Sequence, residues 1–400
     1  MGKRPLGCDV LTAARERIDW TFDTFPRVYV SYSGGKDSTV MLDLAAQSAR
    51  QRGRKFGLLF VDLEGQYRMT IEHVARAFED YADVIDPHWV ALPIALRNAV
   101  SQYDPKWLCW DPDRRAQWVR EPHPTSVTDE AAYPFFSRGM EFEEFVPAFG
   151  QWYSGGALTA CLVGIRADES LNRFRTLIMD KEKMQGRGWT TWMSRSLWNV
   201  YPIYDWRTED IWTYHAKTGL PYNEVYERMH KAGLSIHQMR ICQPYGDDQR
   251  KGLWLFHVLE PETWPKIVAR VNGANFGALY AHETGAMLGR IKLERPPGHN
   301  WESYARFLLE SMPPATREHY ENKIAVFVKW WMDRGYPDGI PDEADTKAEV
   351  GREVPSWRRV VKVLVKGDWW CKGLSFSMTK STAYENYLKV MKNRRRKWGI

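Results

Sequence analysis

Val28-Tyr29-Val30-Ser31-Tyr32, then Ser33-Gly34-Gly35-Lys36-Asp37-Ser38, then a run to Ala49: this stretch decides the fold. Val28 to Tyr32 is short, apolar and rich in β-branched and aromatic residues, the pattern of a buried strand. Asp37 to Ala49 reads as a helix with Val40, Met41, Leu44 and Ala45 on one face. Between them, Gly34 and Gly35 let the chain turn tightly and bring N–H groups close to an anion. The helix that starts near Asp37 adds the positive end of its dipole. Lys36 supplies a mobile positive charge, and Ser31, Ser33 and Ser38 supply hydroxyls. Asp37 is suited either to hold Mg²⁺ or to cap the helix. The spacing is not that of a Walker A loop, nor of G-x-G-x-x-G. A strand, a glycine turn and a helix in this order read as a phosphate-binding turn rather than a plain capped turn.

Outward from this turn the chain alternates. Leu11–Phe22 has helical spacing, Phe56–Asp62 is a second apolar strand, and Tyr67–Tyr81 is a second helix. A third strand falls within Ala82–Leu92, and Leu158–Ile165 and Val200–Ile203 read as further strands. Thr208–Lys217 and Tyr222–Lys231 read as helices. Short apolar strands alternating with helices imply an α/β fold, a parallel twisted sheet flanked by helices on both faces. Residues 93–150 break the rhythm with Trp107, Trp110, Trp118 and the acidic run Glu141, Glu143 and Glu144, and are expected to form a helical insertion over the sheet edge. From about residue 256 the pattern turns mostly helical, with Trp301–Leu309, Arg317–Arg334 and Ala383–Arg394 as helices and residues 337–354 as a loop. The expected organisation is a domain over 1–255 that carries the turn, and a helical, basic domain over 256–400.

Composition excludes several classes. The chain has 400 residues, 44% hydrophobic and 26% charged, which is globular rather than disordered. No apolar run approaches the roughly 18 residues that would span a bilayer, so no membrane role is expected. The N-terminus lacks a secretory apolar region, and a cytoplasmic location is expected. Five cysteines, at 8, 109, 161, 242 and 371, are odd in number, far apart and without a C-x-x-C pair. That speaks against a disulfide scaffold, a zinc ribbon or an iron–sulfur site. His230, His237 and Cys242 fit no zinc spacing. The net charge is +6, yet residues 351–400 alone carry 13 Lys and Arg against 3 Asp and Glu. The tail Lys389, Lys392, Arg394, Arg395, Arg396 and Lys397 could meet nucleic acid or an acidic protein patch, or be a solvated helix end. Twenty tryptophans are chiefly core and packing anchors in this reading, with stacking on bases as the alternative.

Two further blocks carry chemistry. Gly164-Ile165-Arg166-Ala167-Asp168-Glu169-Ser170, followed by Arg173, closes a strand. Arg166 and Arg173 offer forked, permanently charged donors for phosphate or sulfate oxygens. Glu169 could hold an arginine or a metal. Tyr201-Pro202-Ile203-Tyr204-Asp205-Trp206-Arg207-Thr208-Glu209-Asp210-Ile211-Trp212-Thr213-Tyr214, with Leu220-Pro221-Tyr222-Asn223 after it, reads mainly as scaffold, with Thr208 capping a helix and Trp206 or Asp210 near a ligand as the alternative.

With these residues in view, Ser33–Ser38 resembles the PP-loop of the adenine-nucleotide α-hydrolase superfamily, which includes N-type ATP pyrophosphatases, ATP sulfurylase small subunits and phosphoadenosine-phosphosulfate (PAPS) reductases. The Gly164–Ser170 block is similar to the G-x-R-x-x-E-S motif of the PAPS-reductase-like branch, and the Pro202–Tyr214 block to that branch's P-x-x-x-W-x-x-x-D-[IV]-W-x-Y segment. Met239–Arg250 and Trp357–Leu374 resemble a bacterial and phage subgroup with a C-terminal domain of unknown function, to which immunoglobulin-binding regulator A proteins belong. Genes of that subgroup commonly sit beside one for a ParB-like nuclease-domain protein, which implies a ParB-like partner. The resemblance implies a Rossmann-like PP-loop fold. It implies ATP or a PAPS-like adenine nucleotide, with Mg²⁺, bound by Ser31, Ser33, Gly34, Gly35, Lys36, Asp37, Ser38, Gly164, Arg166 and Glu169. Asp62, at the end of the second strand, would face ribose, adenine or metal. Lys36, Asp37, Arg166 and Arg173 would carry the chemistry, cleavage at the α-phosphate with release of pyrophosphate. Two alternatives stand beside it: reduction of PAPS, and a nucleotide-sensing, DNA-associated regulatory subunit. The chain departs from sulfonucleotide reductases in lacking E-C-G-x-H. Cys242 stands in R-I-C-Q-P and Cys371 in W-W-C-K-G, so the resemblance carries the fold further than the reaction.

Overall fold

The computed structural model describes residues 7–101, 103–169, 173–174, 182–241, 243, 245–246, 253–274 and 293–376. Ser170, Cys242, Asp247–Arg250, the helix expected over Ala383–Arg394 and the basic tail lie outside the described residues.

Helix α1 (Val10–Thr24) is started by Asp9, whose carboxylate accepts the N–H groups of Leu11 and Thr12 at 2.9 Å. It leads into strand β1 (Arg27–Tyr32), helix α2 (Lys36–Gln51), β2 (Phe56–Val61), α3 (Arg68–Asp80) and β3 (Ile85–Val90). The strands are apolar almost throughout because helices cover both faces of the sheet. A small hairpin, β4 (Ala95–Arg97) with β5 (Lys106–Leu108), and helix α4 (Phe142–Ser154) precede β6 (Thr159–Val163), β7 (Thr190–Ser194) and β8 (Leu197–Val200). The sheet order is β3-β2-β1-β6-β8-β7. All neighbours run parallel except the β7–β8 pair. The sequence pattern missed β7 and put the strand at Val200–Ile203. Pro202 cannot donate to a ladder, so the chain leaves the sheet after Val200 and turns.

The segment 93–150, expected as a helical insertion, is α-helical only at its end. Pro105, Pro112, Pro122, Pro124 and Pro134 interrupt the rest, which runs as the hairpin, two short 3₁₀ turns and loops. Beyond the sheet come α5 (Thr208–Thr218), α6 (Val225–Lys231), α7 (Trp254–Leu259), α8 (Trp264–Arg270), α9 (Trp301–Glu310), α10 (Pro314–Met332), α11 (Thr346–Gly351) and α12 (Trp357–Val365). Thr346–Gly351 is thus a short helix within the stretch read as loop.

Burial gathers around three main centres. One face of the sheet, with Val30, Val40, Leu58, Phe60 and Leu162, packs against α1, α2 and α3. The other face, with Tyr29, Leu59 and Cys161, packs against α4, the insertion and residues as far as Ala274. A third core joins Trp301, Tyr320, Phe327, Val360 and Leu364 of the last helices. A boundary at 255/256 falls inside α7, whose Leu255, Phe256 and Leu259 belong to the second of these cores. Trp89, Trp110 and Trp206 are fully buried, as packing anchors would be. Among the described residues, no helix is long and apolar enough to cross a membrane.

Candidate functional site

Between β1 and β6 the strand order reverses, because α2 and α3 carry the chain to one side of β1 and the later connections carry it to the other. In open α/β sheets ligands bind in the crevice at that point, beyond the carboxyl ends of the strands. A cavity of about 560 Å³ opens there. Ser31, Ser33, Gly35, Lys36, Asp37, Ser38, Gly164, Arg166, Glu169 and Arg173 line it. One cavity therefore gathers residues that lie far apart in the sequence.

The turn after β1 is rigid for identifiable reasons. Gly34 has φ +70°, and a Cβ there would stand 2.9 Å from Val74 Cγ2 and 3.0 Å from Thr70 Cγ2. Only glycine combines that conformation with that contact. Gly34 sits beneath the turn and not on the cavity surface, while Gly35 lines it and starts α2 without a side-chain cap. Ser38 Oγ and Thr39 Oγ1 both donate to Gly35 O at 3.0 Å, and the Ser33 and Ser38 hydroxyls lie 3.0 Å apart. Gly164 lets the end of β6 come against the start of α2, where a Cβ would meet Ser38 N at 3.2 Å.

The charges of the turn converge on one carboxylate. Lys36 Nζ lies 3.0 Å from Asp37 Oδ2, and Arg166 Nε donates to Asp37 Oδ1. Arg166 Nη1 also reaches Thr208 Oγ1 at 3.3 Å and lies 3.8 Å from Asp168. Lys36 and Arg166 are 5% and 2% exposed, so this is a nearly dry cluster. Burial opposes the charge on Asp37, but the Lys36 ammonium and the Arg166 guanidinium outweigh it and hold the carboxyl below its ordinary value. Arg173 and Glu169 pair at 3.7 Å on the rim.

In this structure Asp37 is a counter-ion. It caps nothing, since Gly35 is the N-cap, and both its oxygens carry cations. With Lys36 and Arg166 on both its oxygens, Asp37 could offer Mg²⁺ at most one carboxylate once those cations turn to another anion, and among the described residues no three carboxylate, His or Cys groups gather to form an all-protein metal site. The residues present do not fit a protein-built Mg²⁺ site. Asp62 is a correction. It does not line the cavity. Its buried carboxylate accepts Trp89 Nε1 at 3.1 Å and Glu64 N at 3.0 Å and pairs with Arg120. Thr208 is not a cap but the first residue of α5, with Asp210 accepting the Arg207 N–H at 2.7 Å. Trp206 is buried and donates to Val10 O, so neither it nor Asp210 lines the cavity.

Sequence reasoning missed the support behind the turn. Tyr226 Oη accepts the Lys36 N–H at 3.1 Å, and the Lys36 ammonium lies 5.4 Å from the Tyr226 ring centre. Asn223 Nδ2 donates to Gly34 O at 3.1 Å and to Thr70 Oγ1 at 2.9 Å, while Asn223 Oδ1 accepts the Val225 N–H at the start of α6. His215 Nε2 lies 3.2 Å from Lys36 O. An Asn two residues before a helix is the one signal of this support that the sequence offers. Also missed was the wall Ile236, His237, Met239, Arg240, Ile241 and Gln243.

Comparison with known proteins agrees with this architecture. Residues 27–232 match the phosphoadenosine phosphosulfate reductase domain, and residues 233–337 match a domain of unknown function, DUF3440. The chain is 45% identical to YbdN, an uncharacterized protein of Escherichia coli (strain K12), over 100% of this chain and 98% of that one. It is 23% identical to an adenosine 5'-phosphosulfate reductase of Staphylococcus haemolyticus over 62% of this chain and 84% of that one. Among solved structures, a PAPS reductase from Candida auris aligns with 54% of this chain and 84% of its own at 17% identity and a TM-score of 0.32, too low to carry an argument.

Proposed function

The chain belongs to the phosphoadenosine phosphosulfate reductase domain family, and from that premise we propose that it is an enzyme that binds ATP or a related adenine nucleotide at the Ser33–Ser38 turn and cleaves it at the α-phosphate. The observation that carries this reading is the convergence of Lys36 and Arg166, each just beyond the end of a strand, on one nearly dry point at the N-terminus of α2. A buried pair of cations beside a helix N-terminus favours a polyanion.

In this reading, an arriving phosphate takes over from Asp37 as the partner of Lys36 and Arg166. Ser33, Gly35 and Ser38 position it. The two cations offset the negative charge that grows on the phosphate oxygens as an oxygen of water or of an acceptor bonds to the α-phosphorus, giving AMP or an adenylylated product, and the bond to the leaving pyrophosphate breaks. Arg173, on the rim, reaches the outer phosphates. Since the described residues do not fit a protein-built Mg²⁺ site, no step here runs through the metal.

Reduction of a sulfonucleotide is the second reading, favoured by the family match. It needs a thiol. Among the described residues none lines the cavity: Cys109, Cys161 and Cys371 are buried and Cys8 lies at the exposed N-terminal end. Burial pushes the thiol of Cys161 up to about 12, with hydrogen bonding from Tyr29 in opposition, far from a reactive thiolate.

The test is product analysis by mass spectrometry with ATP, or with PAPS and a thiol donor, and Lys36→Ala as control. AMP and pyrophosphate, lost in Lys36→Ala, support the first reading. Sulfite with adenosine bisphosphate replaces it with the second.

A further inference from the structure

The cavity has a second wall, and it comes from beyond the reductase-domain match. Ile236, His237, Met239, Arg240, Ile241 and Gln243 line it, and all fall in the stretch that matches the domain of unknown function. Arg240 donates to the backbone oxygen of Glu169, on the loop that carries Arg166. The other cationic side chains of the cavity meet carboxylates. Lys36 pairs with Asp37 at 3.0 Å, Arg166 with Asp37, and Arg173 with Glu169 at 3.7 Å. Among the described residues, Arg240 meets none. Its charge stands over the cavity with the neutral Glu169 carbonyl as its partner. A guanidinium so placed suits a ligand anion.

The same stretch also grips the opposite wall. Leu63 and Gln66, on the turn that leaves β2, line the cavity. Glu64, between them, has φ +61°, a left-handed conformation that a side chain disfavours. It is held there from afar. Arg270 donates to its two oxygens at 2.6 and 3.0 Å, and the N–H groups of Trp110 and Val119 donate at 2.7 and 3.2 Å. Neither side chain of the Glu64–Arg270 pair is exposed. Just beyond, Glu260 accepts the N–H groups of Arg68 and Met69 at 3.1 and 3.3 Å. It thereby caps α3, whose own N-cap residue, Tyr67, makes no side-chain cap. Phe256 stacks on Tyr67 at 4.0 Å.

We propose that residues 233–241 and 253–274 are an integral part of the nucleotide site: Arg240 contacts the bound polyanion from the far rim, and Arg270 is a positioning residue that holds the Leu63–Gln66 wall. This rests on the adenine-nucleotide reading of the turn. It assigns to the first part of the domain of unknown function a role in forming the site, and separates that part from the later helices, which build a core of their own.

Two variants test it, with calorimetric ATP titration, thermal melting and amide hydrogen exchange. Arg240→Gln, at an exposed position, leaves Tm unchanged and weakens ATP binding about tenfold, the worth of one charge-assisted hydrogen bond. Unchanged affinity overturns the contact. The double variant Glu64→Gln with Arg270→Met removes both charges together, so no buried charge is left alone. Its amides at 62–67 exchange faster than in the wild type, and its ATP affinity falls about tenfold at a temperature where it is fully folded, with partial recovery in Arg270→Lys. A lower Tm with unchanged exchange at 62–67 and unchanged affinity would make the clasp merely structural and overturn the positioning role. Wild-type protein that binds no ATP defeats the nucleotide reading instead, and with it the Arg240 contact. The exchange at 62–67 still decides the clasp.

Discussion

Asp37→Asn separates two roles for the carboxylate at the heart of the site. Asparagine keeps its shape and removes its charge. Lys36, 5% exposed, and Arg166, 2% exposed, then face each other with only the half-exposed Asp168, 3.8 Å from Arg166, as a carboxylate nearby. Removing one partner of a buried pair costs about 3–5 kcal/mol, and since the Asp37 side chain keeps 17% exposure, the lower end applies, about 3 kcal/mol. In a chain of this size that lowers Tm by about 4 °C. A nucleotide polyphosphate would supply the missing negative charge. ATP should therefore stabilise the variant more than the wild type, by up to the same ~3 kcal/mol when saturating. The assay is thermal melting of both proteins with and without ATP, each with Mg²⁺ and with a chelator. An ATP-induced shift in Asp37→Asn that equals or falls below the wild-type shift refutes the counter-ion argument. A wild-type shift that requires Mg²⁺ and vanishes in the variant would make Asp37 a metal ligand after all.

Gly34→Ala forces a left-handed alanine against Val74 and Thr70, and a loss of about 2 kcal/mol or more is expected from strain and contact together, read by denaturant unfolding. Wild-type stability would show that the turn relaxes freely. Asp62→Asn should lower Tm, since Arg120 loses its buried partner, yet leave ATP affinity within about twofold. A large loss of affinity with Tm unchanged would return Asp62 to the site. Burial above all, with Arg76 and His215 adding to it, pushes His73 down to about 4, below the roughly 6.5 of an unfolded chain. Between those values the unfolded state takes up a proton and the folded state does not. Stability should thus fall by on the order of 3 kcal/mol as pH drops from about 6.5 to 4, then level off. His73→Gln should flatten that slope, and an identical acid slope in the variant would discount His73.

The strand–turn–helix at Val28–Ala49 was legible because its information is local. Alternation, two adjacent glycines and the start of a helical face need no distant partner to be read, and the Gly164–Arg173 block was legible for the same reason. From these the parallel α/β sheet followed, and with it the crevice at which its ligand residues would meet. What the pattern misread was decided by partners far away. Asp62 stands at the end of a strand, where a ligand residue is expected, but Trp89 and Arg120 claim its carboxylate. Asp37 resembles a metal ligand in one dimension. Only the approach of β6, which Gly164 permits, brings Arg166 onto it and makes it a counter-ion. The support from Asn223 and Tyr226, and the grip of Glu260 and Arg270 on the β2–α3 turn, join residues about 190 to 206 positions apart. By itself the sequence determined the type of turn and the class of sheet, because each depends on a few neighbours along the chain. Tertiary structure alone decided which charges meet, which are silenced by burial, and that the region beyond residue 232 closes the cavity, because those depend on distances the chain sets only once it is packed.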